Sequence, residues 1–138
     1  RYDGSRYEGE FKNNLFDGCG IYYYHKDKIY LGQWKVGKKN GYGIFIDKNK
    51  IYIGNFSTEK KNGFGMMYDK KKDNLYVGFW KGNIQMGFGK LFAKKKFKFG
   101  KWKNKKNAEW FSSNDDAYNY LNGEIIDPYE KETDSKRG

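Results

Sequence analysis

The side chains that commonly do chemistry are scarce in this chain and badly spaced for it. His25 and Cys19 are each the only residue of their type, whereas a zinc site needs three or four ligands brought together. Cys19 sits inside a Gly-x-Gly, and neither it nor Ser57 has a partner for a nucleophile–base pair. Carboxylates come in two pairs, Glu8/Glu10 and Asp115/Asp116, with no cleft-forming sequence around either. Asn55-Phe56-Ser57 matches a glycosylation sequon, but Phe56 stands at a position expected to be buried. No catalytic residue, metal ligand or cofactor is expected, and the reading is non-enzymatic.

What remains as usable chemistry is charge and rings. Residues 1–107 carry 25 Lys and Arg against 9 Asp and Glu, and residues 108–138 carry 3 against 8. A basic body with an acidic tail points to an anionic partner, or to a tail that folds back on the body. Lysines recur at regular places: Lys26 and Lys28, Lys48 and Lys50, Lys70, Lys71 and Lys72, then Lys94, Lys95 and Lys96. Lys38, Lys39, Lys60 and Lys61 form a second series. Aromatic residues make up 20% of the 138, beside 18 glycines and one proline. With little Leu, Ile or Val, any core must be built from rings. The single cysteine excludes an internal disulfide framework and points to a reducing compartment. The expected location is cytoplasmic, with cytoskeletal or membrane association. No apolar run approaches the roughly 20 residues that cross a bilayer as a helix. Arg1 is not a natural start, so a longer parent chain is expected.

The elements that position these groups follow from the glycines. Gly9, Gly32, Gly54, Gly78 and Gly100 are separated by 23, 22, 24 and 22 residues. A ring follows each by two: Phe11, Trp34, Phe56, Trp80 and Trp102. Gly18, Gly41, Gly63 and Gly87 come seven residues after the first four rings, and Gly20, Gly43, Gly65 and Gly89 two further on. A period in the low twenties means a repeat array. Within a unit the period is two, so Tyr30, Gly32 and Trp34 share one strand face, and a turn-forming segment leads to a second strand. Each unit is expected to be a β-hairpin. Glycine opposite a ring lets the ring lie flat on the neighbouring strand. Burial of such a ring removes about 150–250 Å² from water, far outweighing the glycine's cost of about 0.5–1 kcal/mol. Segments such as GYGIFI lack the third glycine of a phosphate-binding loop, so nucleotide binding is rejected. Basic strands with regular rings also suit nucleic acid, but packing accounts for the rings and no RNA-binding motif is present.

The pattern Tyr-x-Gly-x-Trp/Phe-x6-Gly-x-Gly resembles the MORN (membrane occupation and recognition nexus) repeat. It fits Tyr7–Tyr22, Tyr30–Phe45, Tyr52–Met67 and Tyr76–Leu91. A fifth unit starts at Lys98 but has lysine for tyrosine and never reaches its Gly-x-Gly, so a single terminal strand is expected there. The resemblance implies an all-β fold: an elongated, single-layer antiparallel sheet of tandem hairpins, curved into a trough. Residues 1–6 would end a preceding repeat, 7–107 would form the array, 108–123 a capping segment with a short helix, and 124–138 a polar tail.

The repeat core is expected to comprise Tyr7, Tyr30, Tyr52, Tyr76, Phe11, Trp34, Phe56, Trp80 and Trp102. The opposite face presents Leu31, Ile53 and Val77 in one row and Tyr42, Phe64 and Phe88 in another, as a groove for a peptide or helix. Lys48, Lys50, Lys70–Lys72 and Lys94–Lys96 offer an edge for anionic lipid or another polyanion. The expected function is that of an adaptor or scaffold for a protein partner, with an anionic membrane or a second copy of the chain as further partners. The resemblance also implies an alternative, a phospholipid-binding recruitment or regulatory domain of a larger enzyme.

Overall fold

In a computed structural model, residues 4–93 and 95–103 and the backbone of 108–110 are described. Ten strands follow one another: β1 (Arg6–Lys12), β2 (Leu15–Tyr23), β3 (Lys28–Lys35), β4 (Lys38–Asp47), β5 (Lys50–Ser57), β6 (Lys60–Asp69), β7 (Asn74–Lys81), β8 (Ile84–Ala93), β9 (Lys96–Trp102) and β10 (Ala108–Trp110). Each pairs antiparallel with the next, and the spatial order equals the chain order. The layer is single, as the hairpin repeats imply, and it is open and uncurled. Sequence reasoning stops at a single strand for the broken fifth unit; β9 in fact gains the short partner β10. The expected helix within 108–123 lies outside the described residues.

The hairpins close at Asn13–Asn14, Val36–Gly37, Thr58–Glu59 and Gly82–Asn83, where both central residues have positive φ. That is the signature of the two-residue type I′ turn, whose twist matches that of the strands it joins. The second turn residue also reaches back to the preceding unit. Gly37 N–H donates to the Phe16 carbonyl (2.8 Å), Glu59 N–H to Lys39 (2.9 Å) and Asn83 N–H to Lys61 (3.0 Å). Successive units are therefore clipped together at the same place.

The two glycines of each Gly-x-Gly have different physical reasons. Between the pairs Gly32↔Gly43 and Trp34↔Lys39, Gln33 alone faces Asn40, Gly41 and Tyr42. The same irregularity recurs opposite Glu10, Asn55 and Phe79. This is a bulge, and Gly18, Gly41, Gly63 and Gly87 take positive φ within it. The second glycine is a matter of space. A Cβ on Gly43 would overlap the Tyr30 ring, and one on Gly65 would overlap Tyr52. Flat ring packing accounts for this second set, while backbone conformation accounts for the first.

The core is a row of rings on one face, here called the ring face. Tyr30 and Tyr52 are fully buried, with Trp34, Phe56, Tyr76, Trp80 and Trp102 close behind. Tyr30 meets Trp34 edge-on at 5.0 Å and Phe56 at 5.2 Å, and the same contacts continue through Tyr52, Trp80, Tyr76 and Trp102. Each edge-to-face contact contributes about 0.5–1.5 kcal/mol beyond area burial. The rings thus cover one another without the walls of a trough. Phe11, expected in this core, is 57% exposed. It belongs to β1, which among the described residues has a neighbouring strand on one side only.

Candidate interaction face

The ring face is chemically closed. A bulge strands a backbone carbonyl, and the unit's own tyrosine satisfies it. Tyr7 Oη donates to the Glu10 carbonyl (2.8 Å), Tyr30 to Gln33 (2.9 Å), Tyr52 to Asn55 (2.8 Å) and Tyr76 to Phe79 (3.0 Å). Trp34 Nε1–H donates to the Gly20 carbonyl at 3.1 Å and Trp80 Nε1–H to Gly65 at 3.3 Å. Burial pushes the phenol of Tyr76 up to about 12, and those of Tyr30 and Tyr52 higher still. No buried side-chain polar atom among the described residues lacks a hydrogen-bond partner.

Lys39, from the second series of recurring lysines, is buried on this face. Its Nζ lies 4.5 Å from the Phe45 ring centre and 5.6 Å from those of Tyr30 and Phe56. Glu59 pairs with it at 3.5 Å and also accepts its backbone N–H at 2.6 Å. Burial lowers the Lys39 pKa, and the Glu59 charge opposes that shift. One unit on, Lys61 N–H donates to Asn83 Oδ1 in the same way (2.9 Å), and Lys61 lies over Tyr52 and Trp80. A lysine in a polar turn segment carries no sequence mark of burial. The signal was its place, two residues before the bulge glycine.

The opposite face is chemically open. Cross-strand register places Leu31, Ile44, Ile53, Met66 and Val77 in one continuous row across β3 to β7. Of the six expected groove residues, Leu31, Ile53 and Val77 belong to this row. Tyr42, Phe64 and Phe88 lie on the same face, one pleat nearer the hairpin tips, but they do not touch one another in sequence order. Tyr42 pairs across to Asn55, Phe64 to Phe79, and Phe88 to Lys101. Tyr42 is 61% exposed, Phe79 47% and Phe64 45%. Sequence reasoning missed Phe79, whose ring meets Phe64 at 5.7 Å. It also missed a third row, Ile29, Ile46, Ile51, Tyr68, Leu75 and Phe92. Strand alternation could have found both, since these residues stand two or four positions from ones already chosen.

The lysines of the inter-unit turns form the expected exposed edge at Lys48, Lys50, Lys70, Lys71, Lys72, Lys95 and Lys96; Lys94 lies outside the described residues. Among the described residues no cluster of His, Cys, Asp or Glu could hold a metal ion, and no helix is long and apolar enough to cross a membrane.

Comparison with known proteins agrees with this geometry. The family model of the MORN repeat matches residues 7–27, 30–50 and 76–94. The unit at 52–67 falls between these matches, yet it has the same bulge, the same buried tyrosine and the same tyrosine-to-carbonyl bond. Over 44 residues the chain is 43% identical to MORN repeat-containing protein 3 of Xenopus laevis, a stretch covering 31% of this chain and 18% of that relative. The chain carries MORN repeats.

Proposed function

We propose that the array is a non-enzymatic adaptor that seats an amphipathic helix of a protein partner across the face opposite the rings. The carrying observation is the continuous apolar row from Leu31 to Val77, exposed at Ile53 and half-buried along the rest. Two strands advance the sheet by about 9.6 Å, close to the roughly 10.5 Å rise of a helical heptad. A helix about 10–12 Å wide also covers two rows spaced about 6.8 Å apart. An extended peptide would contact one row and gain no main-chain hydrogen bonds from a sheet face. Cytoskeletal or membrane-associated assemblies are the proposed setting.

A second reading, recruitment to anionic lipid as part of a larger enzyme, is favoured by the exposed lysines of the inter-unit turns. Each contributes about 1 kcal/mol near an anionic surface. Affinity capture at low and high salt separates the two. The adaptor reading expects a specific protein to be lost when Tyr42, Phe64 and Phe88 become serine and kept when the turn lysines do. Loss with the lysine variant alone, reproduced by salt, overturns it in favour of a polyanion anchor.

A further inference from the structure

The apolar row meets a carboxylate already paired with an arginine at one end and an ammonium without a salt bridge among the described residues near the other. Its register extends from Leu31 through Ile21 to Glu8 on β1, and from Val77 through Lys90 on β8 to Phe99 on β9. The Glu8 carboxylate is held by Tyr23 Oη (3.1 Å) and paired with Arg6 (3.5 Å). Lys90 has a different setting. Its Nζ lies 4.1 Å from the ring centre of Phe97, 4.8 Å from Phe92 and 5.1 Å from Phe99. Among the described residues, no carboxylate forms a salt bridge with it.

We infer that the seated helix is polar along its length: it carries carboxylates at the end lying over β8 and β9, where they pair with Lys90. The inference rests on the helix-seating reading and adds the chemistry and placement of the partner. An apolar helix end laid over Phe92, Phe97 and Phe99 would strip water from the Lys90 ammonium and give nothing back, a costly state. A carboxylate there gains a charge-assisted hydrogen bond in a site already lined by rings. From β1 to β8 is seven strand spacings, about 34 Å, so a helix of about 22 residues reaches from Glu8 to Lys90.

The probe is a pair of synthetic 22-residue helical peptides with one leucine stripe, three glutamates at one end of the first and three lysines at that end of the second. Binding is read by fluorescence anisotropy on the full chain. Cys19, the only cysteine and exposed, takes a donor dye that marks the β1–β2 end for energy transfer. The glutamate peptide is expected to bind about tenfold more tightly than the lysine peptide, with the preference inverted by Lys90→Glu. An acceptor on its glutamate end should transfer less than one on its other end. Equal affinities, or equal transfer from both ends, overturn the polarity while leaving helix seating intact. Failure of both peptides to bind overturns helix seating and the polarity with it.

Discussion

The two faces of this sheet are built from alternate residues of the same strands, yet they solve opposite problems. On the ring face every large group has a partner: tyrosine hydroxyls take the bulge carbonyls, indole N–H groups take glycine carbonyls, and Lys39 takes Glu59. On the other face Ile53, Phe64 and Phe79 lie open, and the nearest equivalent of Lys39 is Lys90, which has rings but, among the described residues, no paired glutamate. The difference teaches that in a single-layer sheet a face becomes a core only if its neighbours lack side chains. Gly20, Gly43, Gly65 and Gly89 make that room on the ring face. Their cross-strand partners Gly32, Gly54 and Gly78 do the same.

That comparison can be broken at several points. Trp34→Ala removes a buried ring and its bond to Gly20, and should cost about 3–5 kcal/mol, seen as a large fall in urea midpoint. The two glycine classes should then separate. Gly43→Ala drives a methyl into the Tyr30 ring and should cost about 1–3 kcal/mol or more. Gly87→Ala meets nothing in space and carries only the penalty of positive φ, about 1–2 kcal/mol. Equal losses at the two sites would mean that one cause governs both. Tyr30→Phe keeps the ring but orphans the Gln33 carbonyl, for a loss of about 1–3 kcal/mol. A neutral result would show that the bulge needs no internal donor.

The ring face also predicts a pH dependence. Unfolded tyrosines ionise near pH 10, whereas burial holds Tyr24 and Tyr76 at about 12 and raises Tyr30 and Tyr52 as well. Above that pH the unfolded chain binds fewer protons than the folded one, so stability falls as pH rises. Lys39 acts the other way over its own interval, because its lowered pKa makes the folded state shed a proton first. It is one group against several, since Tyr7 is raised by burial as well. Urea midpoints should drop between about pH 9.5 and 11.5, with tyrosinate absorbance rising together with unfolding. A flat midpoint across that range would contradict the burial of these phenols.

Much of this architecture was legible in the sequence, and the rest was hidden for identifiable reasons. The fixed spacing of glycine and ring carried the repeat, the hairpins and the antiparallel ladder, because period and turn chemistry are local properties. The separate roles of Gly41 and Gly43 were hidden, since a bulge is a mismatch between two strands and neither strand records it alone. Lys39 looked like any turn lysine until the clip to Glu59 brought a counter-charge from the next unit. Phe11 matched the core pattern, but its burial needs a strand on the far side of β1. The pairing of Phe64 with Phe79 depended on register, which one-residue alternation does not supply.

The most direct test of the division between faces is a pair of urea denaturation curves. One is for Trp34→Ala, the other for the triple variant with Tyr42, Phe64 and Phe88 changed to serine. Substitutions on this open strand face cost at most about 1 kcal/mol each, so at most about 3 kcal/mol together, and the triple variant should keep a midpoint above that of Trp34→Ala. A triple variant that melts at or below Trp34→Ala would show that the opposite face is also part of the core, and the assignment of that face to a partner would fall.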